Sequence, residues 1–266
     1  MINWHYENYG DPSNPSLILL HGFAGSTKSW AVQASYFAKK YHTFVIDLPG
    51  HGKTNFPSIA KYSHHDFTES LISLIEDHTT FPRHILGYSM GGRVATRLII
   101  NAPNKFSNAI LISCGMGLSE EWQREERIIS DNILAGNIEQ NGMKWFADFW
   151  ENIPLFASRN NMSKDTLKIL KEIWMGQDPE ELAKALRFFS VGNQPYLLPQ
   201  LSKLTLPILY MAGELDSECM LIGKKVIEKV KNSELTIFKN SGHDVPFESA
   251  VQFRKKVLKF LNDSHN

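Results

Sequence analysis

Short, continuously apolar runs separated by longer amphipathic stretches restrict this chain more than any other feature. Residues 17–20, 43–46 and 109–113 are such runs in the first half, and 84–88 reads as another strand. Between them, helical spacing predicts a helix after Ser26 carrying Trp30 and Phe37. A second, over 64–76, carries Phe67, Leu71, Leu74 and Ile75, and a third spans 91–100. Strand, helix, strand, helix in this order means βαβ units and a parallel sheet. Strands of such a sheet are buried on both faces, so they need no polar alternation, and these runs show none. The pattern returns with strands at 207–212 and 235–238 and helices at 220–230 and 251–261.

Residues 115–201 break the alternation. This stretch reads as helical and holds Trp122, Trp145, Trp150 and Trp174, four of the six tryptophans. It is expected to be a helical cap inserted between two strands. That divides the chain into a core of 1–114 and 202–266 and a cap of 115–201. The same aromatics would also serve as the cap's own core.

Composition removes several function classes. Lys plus Arg is 28 and Asp plus Glu is 28, a formal net charge of zero without a basic stripe, so no nucleic-acid partner is expected. No apolar run approaches the roughly 20 residues that cross a bilayer, so no membrane partner is expected. The first residues lack the basic-then-apolar layout of a signal peptide. Cys114 and Cys219 suit a reducing compartment as small buried residues, and the expected location is the cytoplasm. No CxxC or HExxH occurs, so neither metal nor cofactor is expected, and the partner is a small molecule.

Gly87-Tyr88-Ser89-Met90-Gly91 matches G-x-S-x-G between a predicted strand and a predicted helix. A sharp turn there exposes the serine hydroxyl, and small residues two before and two after let the backbone pass. The hydroxyl then sits at a helix N-terminus, which favours developing negative charge. A serine needs a neighbour to take its proton. Of ten histidines, His243 lies in the loop after the last predicted strand, at the same sheet edge as Ser89. His51 is the second candidate. His64, His65 and His78 fall on or beside polar helix surface, His5 and His84 in strands, and His265 in the tail. Asp216 follows the strand at 207–212 and is the candidate carboxylate, with Glu214 and Asp47 as rivals. The chain order Ser89, Asp216, His243 is that of an α/β-hydrolase. Backbone N–H groups of Met90 and Phe23 are the expected oxyanion donors, with His21 anchoring the loop of Phe23.

HGF, DLPGHG, GYSMGGRVA, AGELDS and SGH, in that order over nearly the whole chain, resemble the α/β-hydrolase superfamily. The resemblance implies an α/β fold with a mostly parallel central sheet flanked by helices and an inserted helical cap. GYSMGGRVA, Glu126-Arg127, Phe149-Trp150 with Pro154-Leu-Phe156, and Ala183-Lys-Ala-Leu-Arg187 are more narrowly similar to the MenH family. That family eliminates pyruvate from 2-succinyl-5-enolpyruvyl-6-hydroxy-3-cyclohexene-1-carboxylate in menaquinone biosynthesis. It uses its triad for proton abstraction and its oxyanion hole for the enolate. The substrate carries several carboxylates. Arg93, one helical turn after Ser89, would bind one; Arg127 matches a family cap arginine; Tyr88 and Trp150 match family site positions. A structural salt bridge is the other reading of Arg93. The chain departs from the family at Trp174, near where a further substrate arginine usually stands, and at Pro246, often a second histidine. The alternative is a carboxylesterase working through an acyl-serine, as on a pimeloyl-carrier methyl ester. A non-catalytic ligand-binding protein of this fold is the third reading. Serine at the elbow argues against dehalogenase or epoxide hydrolase chemistry, which places an aspartate there.

Overall fold

The computed structural model describes residues 2–56 and 62–263; His265 lies outside the described residues. Among them, seven strands form one sheet. They are β1 (Tyr6–Tyr9), β2 (Ser16–Leu20), β3 (His42–Ile46), β4 (Arg83–Tyr88), β5 (Asn108–Ile112), β6 (Ile208–Gly213) and β7 (Ser233–Phe238). The order is β1-β3-β2-β4-β5-β6-β7. β1 runs antiparallel to β3, and every other pair is parallel. β2, β3, β5 and β6 are buried at every position. β1 is an edge strand with the sequence YENY, half in contact with water, so it carries no apolar run to mark it.

The helices are α1 (Thr27–Phe37), α2 (His64–His78), α3 (Met90–Asn101), α4 (Glu121–Glu151), α5 (Lys164–Met175), α6 (Pro179–Phe188), α7 (Leu198–Leu201), α8 (Ser217–Lys229), α9 (Val245–Glu248) and α10 (Ala250–Asp263). α2 begins with a capping box: Ser63 Oγ accepts from Asp66 N at 3.1 Å, and Asp66 Oδ2 accepts from Ser63 N at 3.0 Å. Side chains alternate across each strand, so the sheet feeds two cores. Ile18 and Leu20 join Phe67 and Leu71 of α2, Leu98 of α3 and Val226 of α8 on one face. Leu17 and Leu19 join Trp30 and Phe37 of α1 and Phe253 of α10 on the other.

Between β5 and β6 the chain makes α4 to α7. Phe146, Leu170, Trp174, Leu182 and Leu186 of this segment form a third core, and Ala24 and Phe23 from the loop after β2 pack into it. The inserted helices therefore sit against the carboxyl edge of the sheet. Of the four tryptophans, Trp174 is core, Trp145 and Trp150 flank it, and Trp122 is exposed. No helix among the described residues is long and apolar enough to cross a membrane.

The G-x-S-x-G glycines are set by close backbone approach. A Cβ on Gly91 would run into the carbonyl oxygen of Leu20, and one on Gly87 into that of Gly91. Backbone cannot swing aside as a side-chain tip can. Gly91→Ala is expected to destabilise the fold by about 3 kcal/mol or more, read as a shifted denaturant midpoint. An unchanged midpoint would show that α3 can move off β2.

Candidate active site

β4 ends at Tyr88 and α3 begins at Met90, so Ser89 alone makes the turn. Its backbone is at φ 51°, ψ −112°, a conformation that side chains rarely adopt. The surroundings hold it there: Ser89 N donates to Ile112 O of β5 at 2.8 Å, and Ser89 O accepts from Arg93 N at 3.1 Å. The loops after β6 and β7 bring two more groups to this edge. His243 Nε2 lies 2.9 Å from Ser89 Oγ, and His243 Nδ1 lies 2.6 Å from Asp216 Oδ2. Asp216 also caps α8, its Oδ1 accepting from Cys219 N at 3.0 Å. Burial by itself would raise the Asp216 pKa, but hydrogen bonds from His243 and Cys219 outweigh it and hold the carboxyl below its ordinary value.

The rival groups are committed elsewhere. Asp47 accepts from Thr27 N at 2.6 Å and Lys53 N at 2.9 Å and meets His5 Nδ1 at 2.7 Å, so it organises loops. Glu214 Oε2 accepts from Asn240 N at 3.1 Å. His51 packs edge-on to the rings of His21 and Phe23.

His21 anchors the loop of Phe23. Its Nδ1 donates to Gly22 O at 2.8 Å, and its Nε2 accepts from Leu48 N at 2.9 Å. Burial lowers its pKa, which keeps the ring neutral and able to do both. Gly22 lets this loop approach the serine: a Cβ there would stand 2.8 Å from the Tyr88 ring and 3.5 Å from Ser89 Cβ. Met90 is the first residue of α3, so its N–H has no acceptor within the helix.

A cavity of about 270 Å³ opens on Ser89. The nine residues that the sequence reading assigned to the site line it: Ser89, Asp216, His243, Phe23, Met90, Tyr88, Arg93, Arg127 and Trp150. Arg93 Nη1 donates to Phe189 O at 2.8 Å and Gln194 Oε1 at 3.1 Å, both neutral acceptors, so the salt-bridge reading is not what the structure shows. Burial, helped by the Arg127 charge, brings Arg93 down to about 10, still cationic at neutral pH. Arg127 Nε donates to Asp131 Oδ1 at 2.8 Å. Trp150 stacks on Phe146 with centroids 5.3 Å apart and meets Phe23 edge-on at 5.5 Å. Tyr88 offers the cavity its ring, since its hydroxyl donates to Asp244 Oδ1.

Asp244 and Arg159 also line the cavity, and the sequence reading did not assign them to the site. Asp244 follows His243, and its second oxygen takes Arg159 Nε. Arg159 sits in the 3-10 turns over Pro154–Asn161, where no periodicity marks a buried face. The adjacency of Asp244 to His243 was the one available clue.

Asp216, Cys219 and His243 place three potential metal-ligand atoms within 4.8 Å of one another. Their chemistry does not suit a metal. Burial, with the Asp216 charge beside it, pushes the Cys219 thiol far up, so it stays protonated. Both His243 nitrogens are engaged.

Known proteins agree with this architecture. Residues 15–250 match the family described as alpha/beta hydrolase fold. The chain is 31% identical to the putative 2-succinyl-6-hydroxy-2,4-cyclohexadiene-1-carboxylate synthase of Bacillus subtilis (strain 168), over 98% of this chain and 95% of that one. The structure of MenH from S. aureus superposes with a TM-score of 0.93 at 30% identity, covering 99% of both chains. The enol-lactonase from Burkholderia xenovorans LB400 superposes at 0.83 with 19% identity over 97% of this chain and 96% of that one, a likeness of fold alone.

Proposed function

The chain belongs to the alpha/beta hydrolase fold family and, within it, to the MenH family, and from that premise we propose that it is a 2-succinyl-6-hydroxy-2,4-cyclohexadiene-1-carboxylate synthase. It would release pyruvate from 2-succinyl-5-enolpyruvyl-6-hydroxy-3-cyclohexene-1-carboxylate. The observation that carries this is one cavity holding both the Ser89–His243–Asp216 relay and the cations Arg93 and Arg127.

Ser89 Oγ passes its proton to His243 and takes the ring proton next to the succinyl carbonyl. Asp216 holds the imidazole with Nε2 towards the serine and stabilises its charged form. Negative charge gathers on the carbonyl oxygen, which the Phe23 and Met90 N–H groups receive. The electron pair then moves through the ring double bond, and the C–O bond to the enolpyruvyl group breaks. The leaving enolate takes the proton held on His243, which resets the relay; the enol tautomerises to pyruvate, and the ring is left as the diene. Arg93 and Arg127 bind carboxylates of the substrate, and Trp150 and the Tyr88 ring wall the site. Helices α4 to α6 act as a cap over it.

A carboxylesterase would use the same relay through an acyl-serine. Two arginines facing a cavity below the roughly 300 Å³ of ordinary ligand pockets suit a compact polyanion better than a long neutral acyl chain. The test is pyruvate release from the menaquinone-pathway precursor, followed with lactate dehydrogenase against the slow spontaneous decay. Release above that baseline is expected, and its absence would refute the assignment. Arg93→Gln is expected to raise KM about 10- to 100-fold with a smaller change in kcat, since a charge-assisted hydrogen bond to the bound substrate is lost. An unchanged KM would return Arg93 to a purely structural role.

A further inference from the structure

A third arginine reaches the same cavity from a place that the sequence did not mark. Arg159 is 5% exposed and lines the cavity. Its guanidinium carbon lies 3.3 Å from the centroid of the Phe156 ring and 4.7 Å from that of Trp174. Two aromatic faces thus fix its plane, which removes the rotamer freedom a binding group would otherwise lose. Its Nε is held by Asp244 Oδ2. The other Asp244 oxygen, Oδ1, accepts from the Tyr88 hydroxyl. Arg159 Nη1 is buried and has no hydrogen-bond partner. A buried guanidinium with an unsatisfied N–H lacks an acceptor, and an anionic oxygen is the strongest acceptor it could take. The Phe156 ring that Arg159 covers also lies 5.8 Å from the His243 ring, so the cation stands beside the relay.

We propose that Arg159 is a substrate-binding residue, a third cation of the cavity that takes a carboxylate of the ligand on its free edge, with Asp244 and the rings of Phe156 and Trp174 holding it in place. The inference rests on the reading of the site as one for a polycarboxylate. Arg93, Arg127 and Arg159 then match a ligand with three carboxylates, and the enzyme discriminates against neutral or singly charged analogues. Asp131 and Asp244 each hold one of these arginines by its Nε, so the fork nitrogens remain for the ligand.

The test uses the full chain with Arg159→Lys and Arg159→Met. Lysine keeps the charge beside Asp244 but not the planar fork; methionine keeps the stem alone. Two readouts are taken: pyruvate-release kinetics and calorimetric binding of propane-1,2,3-tricarboxylate. Both variants are expected to bind the tricarboxylate about 10- to 100-fold more weakly, with KM raised by a similar factor and kcat changed less. If Arg159→Met does not fold, Arg159→Lys alone decides. A folded variant with unchanged binding and KM, or a wild type that does not bind the tricarboxylate, overturns the inference. A wild type that binds it but releases no pyruvate refutes the assigned reaction instead, and Arg159 is then judged on binding.

Discussion

Replacing Ser89 with alanine is expected to lower kcat for pyruvate release by about 10³-fold or more while the chain still folds. The hydroxyl is the only part of Ser89 that faces His243, at 2.9 Å. Its backbone is held by Ile112 and Arg93 whatever the side chain. Alanine therefore removes the proposed proton-transfer group and leaves the turn, the cavity and the arginines in place. KM should change little, because Arg93 and Arg127, the proposed carboxylate-binding groups, are untouched. Measured with lactate dehydrogenase as the coupling enzyme, a variant within tenfold of wild type would refute Ser89 as the base. The same variant separates the two chemistries on this relay. An ester substrate that leaves a covalent adduct on wild type and none on Ser89→Ala would support the acyl-serine route.

Asp216→Asn is expected to cost about 10⁴-fold in kcat, the size seen where the orienting carboxylate of a triad is replaced by its amide. Asp216 Oδ2 accepts from His243 Nδ1, which keeps the proton off Nε2 and leaves that nitrogen free for Ser89. An amide can present its NH₂ instead and turn the tautomer over. Asp216 also affects stability. Its folded pKa lies below the ordinary 3.8, so its contribution is complete above that value and is lost as pH falls through the lower folded value. Asparagine does not titrate, so acid unfolding of the variant should be less steep below about that pH. Near-wild-type kcat in Asp216→Asn, or an acid limb identical to wild type, would show that His243 is oriented by something else.

The parallel strands were legible because burial on both faces forces continuous apolar runs, and the structure places strands within a residue or two of each one. β1 was not legible, since an edge strand half in water needs no apolar run. The relay could be assembled from sequence because Ser89, Asp216 and His243 each follow a strand that the pattern already marks. The chain brings them to one edge by topology alone. The expectation for Met90 came from the same turn as Ser89, and that for Phe23 from the loop after β2.

The chain also showed from its sequence that tryptophan, not arginine, occupies position 174. Only the tertiary structure places the guanidinium of Arg159 over that ring, 4.7 Å from its centroid. Arg159 and Asp244 are 85 residues apart, joined by a contact between an aperiodic turn and a loop beyond β7. Local patterning encodes which face of a helix or strand is buried, because periodicity repeats every few residues. A partnership between two irregular segments has no period. It is decided by how the inserted helices settle on the sheet edge, and that packing is a property of the folded whole.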